Sequence, residues 1–153
     1  SGPVALRRLG SSQLDLRLVE GNDQFRFLLR DAGWNVSDAP QHIPEAGIEI
    51  DCVADKPGVG TIWVEFKGSW RGDRPGMVRT DTTKKAIVSG FLLRAAGIKV
   101  PYVVLTSHLP LAGSSGDTML QLALRSGAVT AVLCMSDSSW SRRLDRVVNR
   151  DAS

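Results

Sequence analysis

Apolar positions along the chain change their period several times, and each change marks an element. Over 12–32 the spacing is helical: Phe25, Leu28, Leu29 and Ala32 fall at i, i+3, i+4 and i+7. Gly33 stands where such a helix ends. Glu20-Gly21-Asn22-Asp23 interrupts the helix, with Asn22 placed to cap its second part. A short strand over 34–36 and a polar, proline-containing loop over 37–46 follow. From 48 to 55 the period drops to two. Ile48, Ile50, Cys52 and Ala54 share one face, and Glu49, Asp51, Val53 and Asp55 the other. The breakers of Lys56-Pro57-Gly58-Val59-Gly60 predict a hairpin turn. The returning strand over 61–68 sets Ile62, Val64 and Phe66 against Trp63, Glu65 and Lys67.

Beyond a loop over 68–75, Thr80 or Asp81 caps a long helix that runs to Ala96 and stops at Gly97. Ala86, Ile87, Val88, Phe91, Leu92 and Leu93 make it apolar over most of its girth, so it is expected to be largely buried. A β-branched strand covers 99–106, a helix 117–126 ends at Gly127, and a further strand covers 129–135. Ser138 or Ser139 caps a last helix. It carries Trp140, Leu144, Val147 and Val148 on one side and Arg142, Arg143, Arg146 and Arg150 mostly on the other. The order α-β-β-β-α-β-α-β-α predicts an α/β sandwich with a mixed sheet flanked by helices.

Composition bounds the function classes. The 153 residues make one domain, 1–153, with no room for a second of ordinary size. At 42% apolar and 23% charged the chain is globular rather than disordered. No apolar run reaches the roughly 18–20 residues of a membrane span, so no membrane partner is expected. Residues 1–8 lack the charged-then-apolar order of a secretion signal and read as the join to a domain cut from a longer protein. The two cysteines, Cys52 and Cys134, are too far apart for a zinc knuckle, and an intracellular, reducing home is expected. The net charge of +3 permits a polyanionic partner without demanding one.

The hairpin carries the chemistry. If Asp55 and Thr61 flank the turn, Asp51 falls across from Glu65, and Lys67 lies two residues on along the same face, opposite Glu49. Directly opposed side chains on a sheet face have Cβ atoms about 4.5–5.5 Å apart. Two carboxylates at that separation repel unless a cation joins them, and a hard divalent ion, Mg²⁺ or Mn²⁺, is the natural one. A lysine beside them can orient an attacking water or offset charge on a phosphorus centre. The set suits phosphodiester hydrolysis. The plain alternative is a surface salt-bridge cluster on a solvated sheet face. Two features weigh against it. Val53 and Trp63 share the acidic face, so a helix is expected to cover part of it. The segment 67–85 also holds six basic residues (Lys67, Arg71, Arg74, Arg79, Lys84 and Lys85) against Asp73 and Asp81. That run leaves the site where a phosphate backbone would pass, which marks Arg71, Arg74, Arg79 and Lys85 as expected nucleic-acid contacts.

Asp51, followed after thirteen residues by Glu65-Phe66-Lys67 at a strand end, resembles the motif of the PD-(D/E)XK nuclease superfamily. That superfamily has the restriction-endonuclease-like fold shared by type II restriction enzymes, archaeal-type Holliday junction resolvases and Mrr-like enzymes. Its αβββαβ core order is matched from about residue 12 to about residue 106. The resemblance implies a Mg²⁺-dependent endodeoxyribonuclease of restriction or DNA-processing type, with Mn²⁺ able to substitute. It makes Asp51 and Glu65 metal ligands, the Phe66 carbonyl a further ligand and Lys67 the catalytic lysine. Many members add a glutamate from the first helix, for which Glu20 is the candidate and Asp23 its competitor. From the helix after the motif, Lys84 is preferred to Lys85. Ile50 stands where the motif's name has proline. DNA is the implied partner, a homodimer or an additional recognition domain the implied assembly, and a prokaryotic or phage-like cytoplasm the implied setting. Three readings stand beside it: a nucleic-acid-binding domain of the same fold with its hydrolytic site unused, an RNA-directed nuclease, and a small structural or interaction domain. Neither His42 nor His108 has metal-ligand spacing, which argues against histidine-based nuclease chemistry and a zinc site. Trp70, beside Arg71, has the character of a base-stacking residue.

Overall fold

The hairpin turn fixes the register of the central strands. A computed structural model describes residues 21–68 and 76–152. In it strand β4 (Cys52–Lys56) pairs antiparallel with strand β5 (Gly60–Lys67), with Val53 opposite Trp63 and Asp55 opposite Thr61, the register predicted from the turn. The turn itself is tighter than the five breakers suggested. Lys56 and Gly60 already pair, and Gly58 takes the left-handed conformation, φ 80°, between them.

Around this hairpin the chain builds an α/β fold. Strand β1 (Asn35–Val36) pairs antiparallel with β4 on one side. Strands β6 (Tyr102–Thr106) and β7 (Ala131–Cys134) extend the other side in parallel, giving a mixed five-stranded sheet of order β1-β4-β5-β6-β7. Among the described residues four helices flank it: α1 (Asp23–Asp31), α2 (Thr80–Ala95), α3 (Ser115–Ser126) and α4 (Trp140–Ala152). None is long and apolar enough to cross a membrane.

Each sheet face has its own core. Cys52, Ala54, Ile62, Val64, Phe66, Val103 and Leu105 pack against Phe25 and Leu29 of α1 and Leu144 and Val148 of α4. On the opposite face Tyr102 and Val104 pack against Ala86 and Leu93 of α2 and Leu120 and Ala123 of α3, with Val53 and Trp63 partly buried beside them. The predicted helical cover over the acidic face is therefore α2.

Several expectations are corrected. The stretch 48–55 is not one strand. It splits into β3 (Ile48–Ile50) and β4, with a bend at Asp51. Ile50 joins the α2 core and Cys52 the α1 core, so the two do not share a face. Either position is apolar enough to be buried, and the alternation alone could not show the switch. The segment 37–46 is not all loop, because β2 (Gln41–Ile43) pairs with β3 in a separate two-stranded ribbon. Helix α2 is buried on one side only, through Thr83, Ala86, Gly90 and Leu93. Val88 is 54% exposed and Phe91 61%, because Thr83, Ala86, Gly90 and Leu93 take the inward side of the helix. Its cap position is Arg79, in extended conformation, not Thr80 or Asp81.

At α3 the start moves up to Ser115, with Ser114 accepting from the Asp117 amide. The strands predicted over 99–106 and 129–135 are shorter, as Tyr102–Thr106 and Ala131–Cys134. At α4 the Ser139 carbonyl accepts the first helical bond, from Arg143, while its hydroxyl donates to Asp137. The arginines of α4 point outward, as expected.

Candidate active site

The bend at Asp51 creates the site. The antiparallel ladder ends at Cys52 opposite Val64, so Asp51 is not cross-strand paired with Glu65 as the uninterrupted hairpin implied. Past that point β5 continues toward Lys67 paired with β6 but no longer with β4, and the amide of Phe66 has no strand carbonyl from β4 beside it. The Asp51 carboxylate takes that place. Its Oδ2 accepts from the Phe66 amide at 2.7 Å. Amide and carbonyl of one strand residue point to the same side, so the Phe66 carbonyl also faces Asp51. The neighbouring residues follow the same rule. Trp63 donates across to the Pro101 carbonyl, and the Lys67 carbonyl accepts from the Thr106 hydroxyl at 2.6 Å, both toward β6.

Glu65 lies on the α2 face of β5 and is 6% exposed. The hydroxyl of Tyr102, fully buried in β6, donates to its Oε1 at 3.0 Å. Burial, first, and then the Asp51 carboxylate beside it hold the Glu65 proton up to about 8, against an ordinary 4.5. The charge of Lys67 and the Tyr102 bond pull in the opposite direction and are outweighed. Burial also raises the phenol of Tyr102, and the Glu65 charge adds to it. Two acidic groups thus face each other with too little positive charge between them. Such a pair relaxes when a cation sits between them.

The donors present fit a hard divalent ion: two carboxylates from adjacent chain segments and a carbonyl aimed to the same side. Among the described residues no third Asp, Glu, His or Cys completes a larger cluster. Glu20, Arg71, Arg74 and Trp70 lie outside the described residues.

The remaining expected residues separate by position. Lys67 is half-buried at the end of β5, two residues beyond Glu65 and on its face. Asp23 starts α1 and is an exposed partner of Arg26, at 3.3 Å. Arg79, Lys84 and Lys85 are all exposed around the start of α2. The side chain of Ser89 bonds the Tyr102 hydroxyl that holds Glu65. Lys85 is one turn before Ser89 and shares its side of the helix, whereas Lys84 lies one turn before the exposed Val88.

Three residues at the site carried no sequence signal. Asn22 occupies the cap position of α1 as expected but makes no capping bond. Its amide instead stands 3.4 Å from Asp51 Oδ1. Arg26 donates to the Asp51 carbonyl at 2.9 Å. Tyr102 reaches Glu65 from the neighbouring strand. In the sequence Asn22 reads as a helix cap and Arg26 and Tyr102 as polar side chains within a helix and a strand, and none of these features names the partner.

His42 stands opposite Glu49 in the β2–β3 ribbon, and both are exposed. His108 bonds Ser107 Oγ at 2.9 Å. Cys52 belongs to the α1 core, and burial pushes its thiol up to about 12, which makes it inert. No protein-family model, no curated protein and no solved structure matches this chain.

Proposed function

We propose that the chain is a Mg²⁺-dependent endodeoxyribonuclease of the PD-(D/E)XK type. The observation that carries this reading is the buried Glu65 set against Asp51 at the bend, with Lys67 two residues on. A structural ion pair would place opposite charges together, whereas this site sets the buried Glu65 against a second carboxyl group, and burial with that neighbour holds the Glu65 proton up to about 8. Within the five-stranded sheet and its flanking helices, α1, β1, β4, β5, α2 and β6 follow the order αβββαβ, with the β2–β3 ribbon as an insertion. That order supports the restriction-endonuclease-like core.

In this reading Asp51, Glu65 and the Phe66 carbonyl hold Mg²⁺, or Mn²⁺ in its place. An ion held there would supply an acidified water and stabilisation of charge on the leaving oxygen. Lys67 orients the water that attacks the scissile phosphorus and offsets charge gathering on its oxygens. Tyr102 keeps one oxygen of Glu65 fixed, which leaves the other for the ion. Arg79 and Lys85, with Arg71 and Arg74, contact the phosphate backbone. The protein works inside the cell, either as a homodimer or with a further recognition domain.

The test is nicking of supercoiled plasmid by the wild type and by Asp51→Ala, with circular dichroism to establish that both are folded. Cutting that needs Mg²⁺ and disappears in the folded variant supports the assignment. Wild-type rates in Asp51→Ala would remove it. Salt-dependent DNA binding without any cutting would favour a binding domain of the same fold.

A further inference from the structure

Burying an arginine is costly unless its donors are used. Arg26, on α1, is 6% exposed and uses its donors on three different segments. Its Nη2 donates to the Asp51 carbonyl at 2.9 Å, its Nε to the Ser37 carbonyl at 3.2 Å, and its Nη1 meets the exposed Asp23 carboxylate at 3.3 Å. Its guanidinium carbon lies 5.5 Å from the centre of the Phe66 ring. That ring is stacked in turn on Phe25, 5.0 Å away and within 7° of parallel. Both carbonyls belong to residues where the chain departs from a strand. Ser37 follows β1, and Asp51 is the bend between β3 and β4. Ser37 is itself tied to Val53, exchanging main-chain N–H and side-chain contacts at 3.0 Å.

The ladder between β4 and β5 ends before Asp51, and β3 turns away to the ribbon. The sheet therefore does not fix Asp51. It is held at other points: its carbonyl by Arg26, its Oδ2 by the Phe66 amide, and more loosely its Oδ1 by the Asn22 amide at 3.4 Å. The same guanidinium that holds the first point packs on the ring of the residue that supplies the second. We propose that Arg26 is a positioning residue, which sets the bend at Asp51 from behind the sheet and so aims its carboxylate toward Glu65. The placement of Asp51 follows from this geometry alone, while its consequence for metal binding rests on the nuclease reading.

The Phe66 amide reports directly on this arrangement, because its acceptor is the Asp51 side chain. Val64, on the same side of β5, is paired in the ladder and serves as the internal control. Amide hydrogen exchange of wild type, Arg26→Met and Arg26→Gln is measured by NMR in EDTA. Thermal shifts are then followed in a Mg²⁺ titration. Arg26→Met is expected to lose at least about tenfold protection at Phe66 while Val64 keeps its own. Its half-saturating Mg²⁺ concentration is expected to rise at least about tenfold. A residue with a merely structural role would lower protection at both amides together. Wild-type protection at Phe66 in Arg26→Met overturns the proposal. If Arg26→Met does not fold, Arg26→Gln is judged on the same two amides by the same criterion. If the wild type binds no Mg²⁺ and cuts nothing, the nuclease reading falls, and the Phe66 amide still decides the role of Arg26.

Discussion

Replacing Glu65 with glutamine should stabilise the metal-free protein at neutral pH and leave it unchanged in acid. Burial and the adjacent Asp51 carboxylate hold the Glu65 proton up to about 8 in the folded chain, against 4.5 for the free group. Between those values the unfolded chain has released a proton that the folded chain keeps. Stability therefore falls as the pH rises through this window and is fully present below it. The loss is roughly 1.4 kcal/mol for each pH unit, which makes the penalty at pH 7 on the order of 3 kcal/mol. Glutamine has no proton to lose, and its amide oxygen can still accept from Tyr102. Urea denaturation in EDTA at pH 4 and pH 7 reads the difference. The variant should exceed wild type by on the order of 3 kcal/mol at pH 7 and match it within about 0.5 kcal/mol at pH 4. Mg²⁺ at about one hundred times its dissociation constant should return about 2.7 kcal/mol to wild type and nothing to the variant. Equal stability at both pH values, or a loss at pH 7, would refute the claim that burial and the Asp51 carboxylate hold the Glu65 proton in the folded chain.

Other substitutions probe the frame around the site. A Cβ at Gly90 would come closer than 3.0 Å to the main chain of Ala128, so Gly90→Ala should cost about 1–3 kcal/mol and lower the melting temperature. Tyr102→Phe removes the donor to Glu65 Oε1; it should cost about 1–2 kcal/mol by urea denaturation and weaken the Mg²⁺-induced thermal shift. With its thiol pushed up to about 12, Cys52 should resist iodoacetamide in the folded protein, so that mass spectrometry finds a single addition, at the half-exposed Cys134.

The hairpin was legible because breakers fix its turn and the turn fixes its register. Once Lys56 and Gly60 close the loop, Val53 can only face Trp63. The α1 core was legible too, since Phe25 and Leu29 recur at helical spacing and both are buried. The bend at Asp51 was hidden by the sheet's two buried faces. Ile50 and Cys52 are apolar at a spacing of two, and a chain that switches faces between them reads like one that does not. In α2 the hydrophobic pattern misled for a steric reason. Gly90 and Thr83 let the helix approach the neighbouring backbone and the 3₁₀ turn at Gly76–Val78, while bulky Val88 and Phe91 face outward. At the site, Asp51, Glu65 and Lys67 could be picked out because charge at those positions of a hairpin is chemically informative. Arg26 and Tyr102 could not, since each acts on a partner 25 or more positions away whose location depends on the completed fold.

The central claim is that Asp51, Glu65 and Lys67 form a hydrolytic centre for DNA. It is tested most directly by incubating wild type and Lys67→Ala with supercoiled plasmid, single-stranded DNA and RNA, each in Mg²⁺, Mn²⁺ or EDTA. Wild type is expected to cut plasmid in either metal and not in EDTA, and Lys67→Ala is expected not to cut in Mg²⁺. Equal cutting by both proteins, or no cutting of any substrate by folded wild type, would contradict it.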